Sequence, residues 1–217
     1  DMTLGTGWCF GGPDVDENSG SMNSHIQKIV VNEGIVNLDL TEESKYDYNL
    51  VQSVLAVLPD GSRLDITEHI NEGQQLIWEA PKKPVTLYVL RMEGPVFKVK
   101  RPAPGGEGYM LDPFSSSAIS QYTDGFDVVF HGNLRHYVRS IYHDSYEYQA
   151  DWTSDLFDKF QERRGYDLRF FLPELTGENG ETATRVRADY RQTMSELHEE
   201  YIQTTKDWAK KNGLLFR

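Results

Sequence analysis

Cysteine is almost absent from this chain: its 217 residues contain a single one, Cys9. One thiol excludes an internal disulfide and every zinc site built on several cysteines. Histidine gives no substitute, because the six at 25, 69, 131, 136, 143 and 198 show no HExxH or other zinc spacing. Long apolar runs are missing too, and no stretch reaches the ~18 residues of a membrane-spanning helix. Positive charge is in deficit, with 22 Lys and Arg against 34 Asp and Glu for a net charge of −12. Such a field repels a polyanion and argues against nucleic acid as a partner. The chain opens on Asp1 without a basic-then-apolar leader. The expectation is that a leader has been removed or that the true N-terminus lies upstream.

Aromatic side chains are plentiful, with 12 Tyr, 10 Phe and 4 Trp. They suit carbohydrate handling, since pyranose faces stack on rings while phenol and indole groups reach hydroxyls. Core filling is the competing use of each ring.

Three segments can be read along the chain. Residues 1–25 hold a short apolar stretch, Met2 to Phe10, that breaks at Gly11-Gly12-Pro13 into a polar loop. Residues 26–101 carry a β pattern. Its candidate strands are Ile29–Val31, Ile35–Leu40, Leu50–Leu58, Arg63–Ile66, Leu76–Glu79, Val85–Met92 and Val96–Lys100. Pro59-Asp60-Gly61-Ser62 is a strong turn signal among them. Residues 102–217 change character. Ser115 can cap a helix whose apolar face runs Ala118, Ile119, Tyr122, Phe126 and Val129. Tyr137–His143 reads as a buried strand. Thr153 or Ser154 starts a second helix that Gly165 ends. Val186, Tyr190, Met194, Leu197, Tyr201 and Trp208 form the stripe of a long helix, and Leu214–Arg217 opens another strand.

Helices alternating with short apolar strands point to a parallel βα layer. The expected fold class is therefore α/β, a partial TIM-like (β/α) barrel interrupted by an inserted β-rich, sandwich-like segment. A complete barrel takes roughly 200–250 residues, more than remain outside the β region, so the chain reads as about half of one. Open strand edges and helix faces would then favour self-association.

The sharpest constellation is Ile141-Tyr142-His143-Asp144-Ser145-Tyr146-Glu147 with Asp151-Trp152-Thr153. A buried strand running into acids and aromatics places them at its C-terminal end, where βα barrels build their catalytic rims. Cleaving a glycoside needs one carboxylic acid for the leaving oxygen and a second carboxylate for water or direct attack. Asp144 and Glu147 are three apart and face opposite ways in extended chain, so they are not that pair. Glu147 is the better acid, because Tyr146, Tyr148 and Trp152 could desolvate it and keep its proton. A solvated loop Glu147 and an Asp144 bonded to backbone amides are the alternative.

Other positions carry paired readings. Trp8 lines a sugar pocket or fills a core. The Gly105-Gly106-Glu107-Gly108 loop lets backbone approach a ligand closely, with Glu107 at hand. It lacks the lysine and strand-to-helix setting of a phosphate loop. Asp112 binds a sugar hydroxyl or a hard cation, or it caps the Ser115 helix. His143 is a ligand or a hydrogen-bonded structural residue. Oxygen-rich loops leave calcium open, although no EF-hand spacing exists.

Taken in order, these segments resemble the catalytic domain of glycoside hydrolase family 106, the α-L-rhamnosidases. The matching stretches are Leu4-Gly5-Thr6-Gly7-Trp8, Phe10-Gly11-Gly12, Lys100-Arg101 through Gly105–Gly108 to Asp112, and His143–Glu147. Asp151-Trp152-Thr153, Arg163–Leu168, Leu172–Gly177, Asp189-Tyr190-Arg191 and Gly213-Leu214 follow colinearly. The resemblance implies removal of terminal α-L-rhamnose from glycans with inversion, by two glutamates with a calcium ion near the sugar. It implies a periplasmic or extracellular setting. It carries the catalytic acid onto Glu147, places the partner base beyond Arg217, and leaves the calcium ligands unassigned. Cys9 stands where the family pattern leads one to expect proline. A non-catalytic carbohydrate-binding or scaffold protein, and a different barrel glycosidase of β-galactosidase type, are the alternatives.

Overall fold

The computed structural model describes residues 1–217 except 33, 43–45, 47, 132–135, 144–146, 148 and 178. The strands are β1 (Gly11–Gly12), β2 (Asn23–Val31), β3 (Ile35–Asp39), β4 (Tyr48–Val57) and β5 (Arg63–Asp65). They continue with β6 (Gln75–Glu79), β7 (Val85–Gly94), β8 (Tyr109–Met110), β9 (Ser140–Ile141) and β10 (Leu215–Phe216). The helices are α1 (Ser116–Phe130), α2 (Leu156–Arg164), α3 (Leu172–Leu175) and α4 (Glu181–Lys211). Two compact units are assembled from separated segments: 1–23, 94–154 and 194–217 form one, and 24–93 with 155–193 form the other.

In the unit of 24–93 and 155–193, β2, β7, β4 and β5 lie side by side in that order, and β3 pairs with β6. The β3–β6 register sets Val36 opposite Trp78 and Leu38 opposite Leu76. Val36, Val54, Ala56, Leu76, Val85, Leu87 and Val89 form the apolar core between these strands. The Pro59–Ser62 turn forms as its residues dictate, with the Ser62 N–H donating to Asp60 Oδ1 at 3.1 Å. Strand β7 is buried on both faces, because Tyr88, Leu90 and Met92 alternate with the core residues and are also covered. The helical segment supplies further buried apolar residues, Leu156, Phe160, Leu168, Leu172 and Val186. Arg63 of β5 grips this segment. Its guanidinium donates to Glu174 Oε1 at 2.6 Å and to the Phe170 carbonyl at 2.6 Å.

The other unit contains the parallel pairing. Strands β9 and β10 pair in parallel, Ser140 with Leu215 and Ile141 with Phe216. Met2 adds a third parallel row beside Ile141. Its N–H donates to the Ser140 carbonyl and its carbonyl accepts from the Tyr142 N–H, both at 3.0 Å. In sequence, α1 falls between the first and second rows, and the C-terminal part of α4 precedes the third. Leu4, Phe10, Leu111, Ile119, Ile141, Tyr201, Trp208 and Leu214 make the core. Ser115 caps α1 by accepting the Ala118 N–H at 3.1 Å.

Several local expectations are corrected. Val96–Lys100 is not a strand; it contributes only the bridges Lys98–Tyr109 and Trp8–Lys100. The expected strand Tyr137–His143 shrinks to β9, whose partner β10 is equally short, and Tyr137 is exposed. Helix α2 begins at Leu156 with Asp155, not Thr153 or Ser154, at the cap position and no side-chain cap bond, and Gly165 closes it with φ 79°. Cys9 has φ 66°, which a proline, fixed near −65°, cannot adopt. The fold is thus mixed α/β with several short sheets, and none closes among the described residues.

Candidate active site

The parallel rows end together on one edge. Beyond Met2 run Thr3 to Phe10, beyond Ile141 run Tyr142 and His143, and the His143 N–H donates to the Arg217 carbonyl at 3.2 Å. A pocket of about 130 Å³ opens at this edge, lined by Thr3, Gly7, Trp8, Phe10, Tyr142 and His143. Two of the site residues expected from sequence, Trp8 and His143, therefore share a wall.

His143 is buried, and its ring meets Phe10 edge-on at 4.1 Å between centroids. Its Nε2 lies 3.4 Å from the Phe10 N–H, which donates to it. A neutral imidazole accepting at Nε2 carries its proton on Nδ1. Burial, with the charge of His198 adding, pushes His143 down to about 4. It is therefore neutral near pH 7 and suited to hold the Phe10 turn rather than to shuttle protons.

Trp8 is 38% exposed, so it is not the core residue of the alternative reading. The Arg101 guanidinium stands over its ring at 4.7 Å. The Trp8 N–H donates to the Lys100 carbonyl at 2.9 Å, and Lys100 Nζ reaches Glu147 Oε2 at 2.6 Å. Trp8, Lys100 and Glu147 are thus joined in one chain of contacts. The desolvated setting expected for Glu147 is not found: its side chain is 56% exposed and paired with an ammonium. Trp152, expected to cover it, is itself buried and bridges Met22. Tyr146, Tyr148 and Asp144 lie outside the described residues.

Asp112 is buried ahead of α1, and its Oδ1 accepts the Phe114 N–H at 2.9 Å, a turn bond outside the helix, whose cap is Ser115. Glu107 is exposed. Gly108 is needed for backbone packing, since a Cβ there would fall 2.0 Å from the Gly12 carbonyl group of β1, whereas Gly105 has open space around it. Lys100 and Arg101 were not singled out by function from sequence. Their signal was Lys98, Lys100 and Arg101 within four residues of an acidic chain.

A larger hollow of about 450 Å³ lies along α1, lined by Leu4, Thr6, Asp14, Gln121, Tyr122 and Phe126 among others. The Tyr122 hydroxyl bonds the Leu4 and Gly11 carbonyls at 2.8 and 3.0 Å, and burial pushes it up to about 12. Its tyrosine hydroxyl is thus committed to backbone, and Asp14 is the carboxylate on its wall. Among the described residues no three His, Cys, Asp or Glu side chains converge on a metal position.

Comparison with known proteins falls on glycosidases. The family model described as alpha-L-rhamnosidase, glycoside hydrolase family 106, matches residues 22–216. A Formosa agariphila protein described as "Putative beta-glucuronidase" is 33% identical over 172 residues, 74% of this chain and 15% of that protein. The solved structure of a rhamnosidase from Novosphingobium sp. PP1Y aligns with TM-score 0.64 at 29% identity, over 76% of this chain and 17% of that one. The class is that of enzymes cleaving glycosidic bonds. Within it, this chain belongs to glycoside hydrolase family 106. It spans about one sixth of the length of these relatives. Lys100 and Glu147 fall inside the family match, and Trp8 precedes it.

Proposed function

We propose that this chain works within a longer glycoside hydrolase that removes terminal α-L-rhamnosyl residues from a glycan, with Glu147 as general acid. The observation that carries the reading is the linked set Trp8, Lys100 and Glu147 at the C-terminal edge of parallel rows, in a family 106 chain. The three rows are read as opening strands of a TIM-like barrel, with the β-rich unit as its insertion. Trp8 offers an exposed ring face to the sugar. Glu147 delivers a proton to the departing glycosidic oxygen. A second carboxylate, outside these residues, activates water on the opposite face, and inverting enzymes keep the two about 6.5–9.5 Å apart. Calcium enters this reading only as a ligand implied by family resemblance. Exposed Val128, Tyr137 and Leu215 support self-association of the isolated chain, which size-exclusion chromatography checks.

The test is Glu147→Gln in the full-length enzyme. Rates should collapse for rhamnosides with poor leaving groups and survive far better for aryl rhamnosides whose phenolate departs unaided. Equal loss on both would make Glu147 the base. Normal rates on both would remove it from the chemistry.

A further inference from the structure

We infer that Lys100 is the positioning residue of this site: it holds the Glu147 carboxylate on the side of the strand end where Trp8 is exposed. The inference rests on the reading of Glu147 as a catalytic carboxylate.

Geometry carries it. Trp8 and Lys100 face each other as an antiparallel bridge, and directly opposed residues of such a bridge send their side chains to the same side. The ammonium that reaches Glu147 at 2.6 Å therefore stands on the side of the exposed indole. The approach is tight, since a Cβ on Gly7 would fall 2.5 Å from the Lys100 carbonyl. Two of the left-handed non-glycine residues, Cys9 at φ 66° and Arg101 at φ 51°, directly follow the bridging residues Trp8 and Lys100. Such conformations are costly and collect at functional sites.

Stability does not explain the arrangement. Lys100 and Glu147 are 49% and 56% exposed, and ion pairs that wet contribute little to folding. Lys100 meets Glu147 from another segment of the chain. Arg101 is turned over the Trp8 ring. His143, on the preceding strand end, is neutral, and Asp144 lies outside the described residues. The ammonium thus restrains the Glu147 carboxylate in one place at the strand end.

The experiment compares Lys100→Met and Lys100→Arg with wild type in the full-length enzyme, reading kcat and KM on an aryl and an alkyl rhamnoside. Lys100→Met should lower kcat on the alkyl rhamnoside about tenfold or more while KM and the aryl rate are nearly kept, because only the poor leaving group needs a well-placed proton, and Lys100→Arg should restore it. An equal fall on both substrates, or no recovery with Lys100→Arg, would overturn the inference while leaving the role of Glu147 to its own Gln variant. Unchanged kcat on both substrates would overturn it as well.

Discussion

The indole N–H of Trp208 donates to Asp127 Oδ1 at 2.7 Å, fastening the end of α4 to α1. Asn212 Nδ2 and Lys211 Nζ reach the same carboxylate at 3.3 and 3.2 Å. Burial works against the charged form of Asp127, but the bonds from Trp208, Lys211 and Asn212 outweigh it and hold the carboxyl below its ordinary 3.8. A carboxylate depressed in the folded state stabilises above its unfolded value and loses that contribution as pH falls through the folded one. Asp127→Ala, which orphans the indole N–H, should cost about 1–3 kcal/mol at pH 7. In urea unfolding at pH 7 and pH 3, the difference between wild type and variant should shrink at pH 3. A constant difference would show that the charge is irrelevant.

Arg63 and Glu174 form the second fastening. Glu174 is 8% exposed against 29% for Arg63, and the guanidinium bonds both carboxylate oxygens, at 2.6 and 3.0 Å. Removing one member of a buried pair leaves the other charge stranded, at about 3–5 kcal/mol. The water left to Arg63 places Glu174→Ala near the lower figure. Urea midpoints measure it, and an unchanged midpoint would mean that the apolar residues alone hold the helical segment.

His143 makes the acid side steeper. Its folded value of about 4 lies below the ordinary 6.5, so between these values the unfolded chain binds the extra proton and stability rises with pH. His143→Gln should flatten that part of the stability profile. Imidazole NMR should show His143 titrating near the lower value, and a midpoint close to 6.5 would contradict its burial.

Trp8→Ala in the full-length enzyme should raise KM roughly tenfold, equivalent to 1.4 kcal/mol of lost binding, with kcat nearly kept. That split marks binding shared by ground and transition states. Trp8→Phe should recover much of it. A fall in kcat at constant KM would place Trp8 in the chemistry instead.

Signals confined to a few residues were readable in the sequence. The Pro59–Ser62 turn, the Ser115 cap, the stripe from Val186 to Trp208 and the strand after Gly213 all rest on chemistry within one or two turns of chain. Signals between distant residues were not. Nothing near Val96–Lys100 announces that this apolar stretch leaves the β-rich unit to meet Trp8. Nothing in the spacing of Glu147 names Lys100 as its partner. The acid was expected among aromatics because its neighbours in sequence are aromatic, yet Trp152 turns inward and a cation from another segment takes the place beside it. Segment 155–193 likewise groups with 24–93 through Arg63, a side chain whose partner no local pattern reveals.

The interleaving of the two units fixes what the ribosome can complete and when. The row at Met2 waits for Ile141, and Ile141 waits for Phe216 of β10. Residues 24–93 lack the helices of 155–193 until those have been made. Neither unit can fold as a continuous stretch behind the exit tunnel, so partly covered strands persist while these residues are synthesised, a period in which chains with incomplete packing are exposed to aggregation. No single cut within these residues leaves both units intact.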